Sequence, residues 1–199
     1  MPDPSFDPSS AVTFDFSHGL VRMDGAPARL LVPADALVAL LSAAGAEATA
    51  AFARSLGEGM GRRVAGRLSA EGGAGALAAS VAGVVDHLGG ELALAGLGSL
   101  SLERWGKALV LAVDHSPLGA SGDRLLEATL AGALEAATGK PARALVLARD
   151  AAQARFLIGS AAALDKVRAW LEQGVSWGEA LVRLHSPTEP KAEPARGDA

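Results

Sequence analysis

Val12, Phe14 and Phe16 alternate with Thr13 and Asp15, and this period of two predicts a strand with one apolar face. Leu20 to Met23 and Arg29 to Val32 are two further short runs. Ser17-His18-Gly19 and Asp24-Gly25 separate the three as turns, so an N-terminal β meander is expected. The period then changes. Pro33 opens a helix with Asp35 in its first turn, Leu37, Leu40 and Leu41 form its apolar stripe, and Gly45 closes it. From Ala46 to about Ala70, Phe52, Leu56, Met60, Val64 and Leu68 recur every four residues, which predicts a longer helix. Ala53, Gly57, Gly61 and Ala65 run beside them at the same spacing. Glycine inside a helix costs about 1 kcal/mol relative to alanine, so this second stripe points to a groove that another helix approaches closely.

Glu71-Gly72-Gly73 breaks the long helix, and Ala74 to Leu88, small or apolar on every side, predicts a third and buried helix that stops at Gly89-Gly90. Leu92 to Ala95, Ser99 to Leu102 and Ala108 to Asp114 read as strands, the last of them apolar enough to lie centrally in a sheet. Asp123 to Thr138 is an amphipathic helix. Leu126, Leu130, Ala133, Leu134 and Ala137 form its buried face, Asp123, Arg124, Glu127 and Glu135 look outward, and Gly139 stops it. Ala144 to Ala148 and Arg155 to Ile158 predict a hairpin around Asp150-Ala151-Ala152. Ala161 to Gln173 and a short helix capped by Ser176 and running to Leu184 complete the order. The expected architecture is α/β of the α+β kind: a β meander, a helix pair, an antiparallel sheet crossed by a long helix, and C-terminal helices. Residues 11–185 are expected to form one domain, with residues 1–10 and 186–199 disordered.

Composition narrows the chemistry. The 199 residues include no Cys and no Tyr, which excludes disulfides, thiolate metal sites and thiol nucleophiles. The net charge of −4 is not that of a nucleic-acid-binding chain. Arg54, Arg62, Arg63 and Arg67 are interleaved with acids, Glu58 stands four residues before Arg62, and a solvated helix face is expected there. No secretory signal or membrane-length apolar run is seen, so a cytoplasmic location without a transmembrane segment is expected.

The motifs carry little chemistry. Gly73-x-Gly75-x-x-Ala78 imitates a dinucleotide fingerprint but follows a helix instead of a strand. Asp114-His115-Ser116 has the residue types of a hydrolytic triad, but neighbours on a strand point to opposite faces. His18, His87, His115 and His185 form no helical pair. No catalytic residue, metal or cofactor is assigned, and an enzyme is not expected. Trp105 sits beside Gly106-Lys107 as a hairpin residue, and Trp170 and Trp177 give the C-terminal region an apolar side that is a candidate partner surface.

Ala53-Arg54-x-Leu56-Gly57-x-x-x-Gly61, Leu130-x-Gly132-Ala133-Leu134, Gly139 and Phe156-Leu157-Ile158 resemble the 4-vinyl reductase domain family, whose fold is shared with TRAPP subunits. The resemblance spans roughly Pro33 to Ile158. It implies a dimeric body with an apolar cavity between helices and sheet. Met60, Val64, Trp105, Leu130 and Leu134 are the expected cavity residues, and Leu37, Leu41, Phe52 and Leu56 the expected dimer interface. Gly132 is expected to pack on the sheet. Many family members carry cysteines around the crossing helix and the closing hairpin, where this chain has Leu125, Ala151 and Arg155, so metal binding or acylation there does not carry over. The expected function is a non-enzymatic homodimeric scaffold or partner-binding module, and the alternative is a sensor or carrier of a hydrophobic small molecule or tetrapyrrole.

Overall fold

The computed structural model describes residues 12–23, 29–72 and 80–185. The expected disordered ends, the Asp24-Gly25 turn and the Gly73-x-Gly75-x-x-Ala78 motif lie outside these residues. The order is β1 (Val12–Asp15), β2 (Leu20–Met23), α1 (Ala34–Ala44), α2 (Ala46–Gly72), α3 (Val81–Leu94), β3 (Ser99–Trp105), β4 (Ala108–Asp114), α4 (Asp123–Thr138), β5 (Arg143–Arg149), β6 (Gln153–Gly159), α5 (Ala161–Glu172) and α6 (Trp177–His185). The fold is mixed α+β. A two-stranded antiparallel hairpin precedes a four-stranded antiparallel sheet of order β3-β4-β6-β5.

Side-chain alternation gives the sheet two buried faces. Leu100, Leu102, Leu111, Val113, Ala154 and Phe156 meet α2, α3 and α4 in the larger core. Ala108, Val110, Leu145, Leu147 and Leu157 meet Leu164 and Val167 of α5 and Ala180 and Leu181 of α6. β4 is covered on both sides, with Val110, Leu111 and Ala112 fully buried, as its uninterrupted apolar run predicts.

The small-residue stripe of α2 finds its partner within the chain. A Cβ on Gly57 would stand inside the Thr129 carbonyl, and one on Gly61 inside the Ala133 carbonyl. Gly132 faces back across the same contact: a Cβ there would lie 2.7 Å from the Arg54 carbonyl oxygen. Gly132 therefore serves the α2–α4 contact and not the sheet, because its face of α4 is turned away from the strands. Thr129 Oγ1 reaches across to donate to the Ala53 carbonyl at 3.2 Å, and Arg54 pairs with Glu135 at 3.1 Å. Gly139 ends α4 in the left-handed conformation at φ 67°.

Several expectations change. Leu92 to Ala95 is the end of α3 and a turn, not a strand, and α3 runs through Gly89-Gly90. Val84, Val85, Leu88 and Leu92 share one helical face, and burying them offsets the helix cost of two glycines. The third meander strand reduces to one bridge, Val21 to Arg29, and leaves Leu30 and Leu31 88% and 79% exposed. Two acids expected to face water turn to the sheet instead. Asp123 takes the guanidinium of Arg149, and Glu127 Oε1 accepts from the Val146 backbone N–H at 2.6 Å. β5 is an edge strand, so Glu127 satisfies a donor that would otherwise be open for pairing. Burial raises the Glu127 pKa even against that hydrogen bond. Arg63 and Arg67 are not a solvated face either, since both converge on the fully buried carboxylate of Glu91.

Candidate functional site

A cleft opens where α3, the C-terminal half of α4 and the sheet diverge. Val81, Val84 and Val85, spaced for one helix face, form one wall. Leu109 and Ile158, directly paired across β4 and β6, form the floor, and Leu134 and Thr138, one turn apart on α4, close the far side with Pro141 and Ala142. Its volume is about 240 Å³. The polar side chains on it belong to Thr138 and Lys140. Thr138 Oγ1 is engaged with its own helix end, donating to the Leu134 carbonyl at 2.7 Å and accepting from the Lys140 N–H at 3.3 Å. The cleft thus presents branched aliphatic surface with one occupied hydroxyl and one ammonium, a lining suited to holding a small apolar molecule out of water.

The structure distributes the expected cavity residues differently. Met60, Val64 and Leu130 are fully buried and fill the core between the helices. Leu134 lines the cleft. Trp105 stands on the opposite face of the sheet, 44% exposed, with its ring edge-on to Trp177 at 4.7 Å. Register explains this: Trp105 pairs with Ala108, on the face that meets α5 and α6. Glu103 organises this corner by accepting from Trp105 Nε1 at 3.0 Å and Arg155 Nε at 3.1 Å. Burial raises the Glu103 pKa, but the hydrogen bonds from Trp105 and Arg155 outweigh it and the net shift is downward. Arg155 also lies 5.8 Å over the Trp177 ring. Trp170 and Trp177, the candidate partner surface, are half-buried and pack on the second core.

The cleft-lining valines belong to the stretch Ala74 to Leu88, whose small and apolar residues on every side predict a buried helix and give no sign of a hollow beside it. Asp114, His115 and Ser116 do not converge: Asp114 accepts from Gln153 Nε2 at 2.8 Å, and His115 turns the chain at φ 54°.

A second, wider depression of about 810 Å³ separates α1 and the start of α2 from α4 and β5. Leu41, Thr49, Arg54, Glu127 and Arg143 are on its walls. Of the expected interface residues, Leu37, Leu41 and Leu56 are half-buried against the core, while Phe52 is 45% exposed. Leu40, on the same helix as Leu41, is 65% exposed. Among the described residues no helix is long and apolar enough to cross a membrane.

No protein-family model matches this sequence, and no curated protein matches it. Among solved structures, the crystal structure of the phenol-responsive sensory domain of the transcription activator PoxR with phenol superposes with a TM-score of 0.57 at 15% identity. The match covers 90% of this chain and 94% of that one. At this identity the likeness is one of fold, and the chain shares its α+β architecture with a small-molecule sensory domain.

Proposed function

We propose that this domain binds a small, largely apolar molecule, most simply a single-ring compound, in the cleft between α3, α4 and the sheet, and serves as a sensor. The observation that carries the reading is the aliphatic cleft itself. Its volume of about 240 Å³ lies below the roughly 300 Å³ at which pockets for drug-sized ligands begin, and above the roughly 150 Å³ of an apolar cavity that takes benzene. That range favours one ring over a tetrapyrrole macrocycle. The fold shared with a phenol-responsive sensory domain supports the same class of ligand, and the element order expected of 4-vinyl reductase domains agrees with it.

The test is a titration of phenol and toluene into the full chain, followed by thermal unfolding and methyl NMR. A ligand at a hundred times its Kd stabilises the native state by about 2.7 kcal/mol. Saturable shifts are expected at Val84, Val85, Leu134 and Ile158. Val81 is 50% exposed at the mouth, so Val81→Trp should block entry without unfolding the protein and weaken binding at least about tenfold. No saturable shift with either compound, or shifts confined to other methyls, would remove the cleft from consideration.

A second reading, association through the N-terminal helices, is favoured by the exposed apolar series Leu30, Leu31, Val32, Leu40 and Phe52. It makes the domain a homodimer, compatible with a sensor and also with the scaffold role. Phe52→Asp and Leu40→Asp are expected to shift sedimentation from dimer toward monomer while leaving the circular dichroism unchanged. A wild-type monomer at micromolar concentration, or two variants that stay dimeric, would reject this surface.

A further inference from the structure

We infer a second ligand site, for an organic anion with an apolar body, in the wide depression that separates α1 and the start of α2 from α4 and β5. One wall is α1, which folds back from α2 at Gly45. Thr49 Oγ1 lies 3.0 Å from the Leu41 carbonyl oxygen and 2.8 Å from that of Gly45, which ties this turn together. Val38 and Leu41 give the wall its apolar surface. Ala128 and Ala131, on one face of α4, and Ala144 of β5 continue that surface on the other side. Alanines at these three positions leave the hollow open. Its volume is about 810 Å³, against about 240 Å³ for the aliphatic cleft, and lies within the roughly 300–1,000 Å³ of small-molecule sites.

The side chains around this surface select the sign of the ligand. Arg54, Arg124, Arg143 and Arg168 line the depression, and the one carboxylate among its lining residues is Glu127. Two of the four cations are already engaged, Arg54 with Glu135 at 3.1 Å and Arg168 with Asp165 at 3.2 Å. Asp123, beside Arg124 in sequence, is held by Arg149. Glu127 is half-buried with Oε1 on the Val146 N–H, and the charges of Arg168 and Arg124 both act on it. Arg124 and Arg143 are left. Both are exposed and, among the described residues, neither makes a salt bridge or a side-chain hydrogen bond. One stands in the first turn of α4 and the other opens β5, so the free cations flank the apolar floor from two elements. The chain as a whole carries −4, so this sign is a local arrangement and not the general character of its surface. Guanidinium donors above hydrocarbon fit a carboxylate, sulfonate or phosphate carried on an apolar body. The depression shares no residue with the aliphatic cleft or with the exposed series Leu30, Leu31, Val32, Leu40 and Phe52, so it stands or falls apart from both.

The experiment titrates naphthoate, naphthylmethanol and naphthylmethylammonium into the full chain at one ionic strength, read by calorimetry and two-dimensional NMR. The three probes share a body and differ in charge. Naphthoate is expected to bind about tenfold more tightly than the alcohol, and the ammonium more weakly than either. Saturable shifts are expected at Ala128, Ala131 and Ala144. Arg124→Gln and Arg143→Gln together should bring naphthoate down to the affinity of the alcohol. The circular dichroism should not change, because neither side chain is paired within the fold. Arg104→Gln with Lys107→Gln makes the same charge change at the β3–β4 turn and should leave the preference for naphthoate intact. Equal binding of naphthoate and the alcohol, or a preference that survives the Arg124 and Arg143 changes, would overturn the site. Loss of the preference in the control variant would reduce it to the overall charge of the protein and overturn the site as well. Shifts confined to Leu134 and Ile158 would place the ligand in the aliphatic cleft, with the same consequence.

Discussion

Gly57→Ala is expected to lower stability by about 3 kcal/mol, the upper end of what overpacking one buried position does. On propensity alone, the sign would be opposite. Alanine is favoured over glycine by about 1 kcal/mol in a helix interior, and Gly57 is in the middle of the 27-residue α2. The Cβ, however, would meet the Thr129 carbonyl group, with the Ala133 nitrogen 3.0 Å away. These are backbone atoms of α4, which cannot rotate aside as a flexible side chain does. Accommodation requires the two helices to move apart, which breaks the Thr129–Ala53 hydrogen bond and loosens the packing of Met60 and Val64 against Leu130 and Ala133. Gly66, on the same helix, has nothing within 4 Å of its notional Cβ. Gly66→Ala should therefore stabilise the domain by about 0.5–1 kcal/mol. Urea unfolding of both variants is decisive, because propensity predicts equal effects and close packing predicts opposite ones. Equal stabilisation would show that α2 and α4 are not in close contact.

The same contact marks what was legible in the sequence. The stripe of Ala53, Gly57, Gly61 and Ala65 announces a close helix approach, and Gly132 announces another on the crossing helix. Periodicity cannot say that these two announcements refer to each other, since a partner helix has the same appearance whether it is 75 residues away or in another chain. Local signals succeeded where the decisive interaction is local: Pro33 and Gly45 bound α1, Gly139 ends α4 and Ser176 stands immediately before α6. They failed where tertiary packing overrides them, as at Gly89-Gly90, which reads as a break yet lies inside α3 because Leu88 and Leu92 are buried on either side. The cleft was invisible for a related reason. A valine that fills a core and a valine that lines a hollow are the same letter in the same period, and only the divergence of α3 from the sheet separates them. The exposed apolar N-terminal segment is different again, because Arg29 to Val32 has the pattern of a strand and the bridge of Arg29 to Val21 is the only pairing it finds among the described residues.

Glu91→Ala is expected to be the most damaging single charge change, lowering stability by about 3–5 kcal/mol. Glu91 is fully buried, and the side chains of Arg63 and Arg67 are 12% and 24% exposed, so bulk water does little of the solvation that the carboxylate now supplies. Removing it takes the shared carboxylate away from two largely buried guanidinium groups. The loss would come mainly from cations stranded in the fold, not from attraction forgone. That distinction is testable. Desolvation offsets much of the Coulombic gain of a buried ion pair, so replacing the whole unit with apolar side chains of similar size is often neutral or stabilising. The triple variant Arg63→Met, Arg67→Met, Glu91→Leu should accordingly recover most of what Glu91→Ala loses in urea unfolding. If Glu91→Ala loses less than about 1 kcal/mol, the value of an exposed pair, water reaches the cluster and the charges are screened. If instead the triple variant is as unstable as the single one, the ion cluster is itself a net source of stability, and the stranded-charge account is wrong.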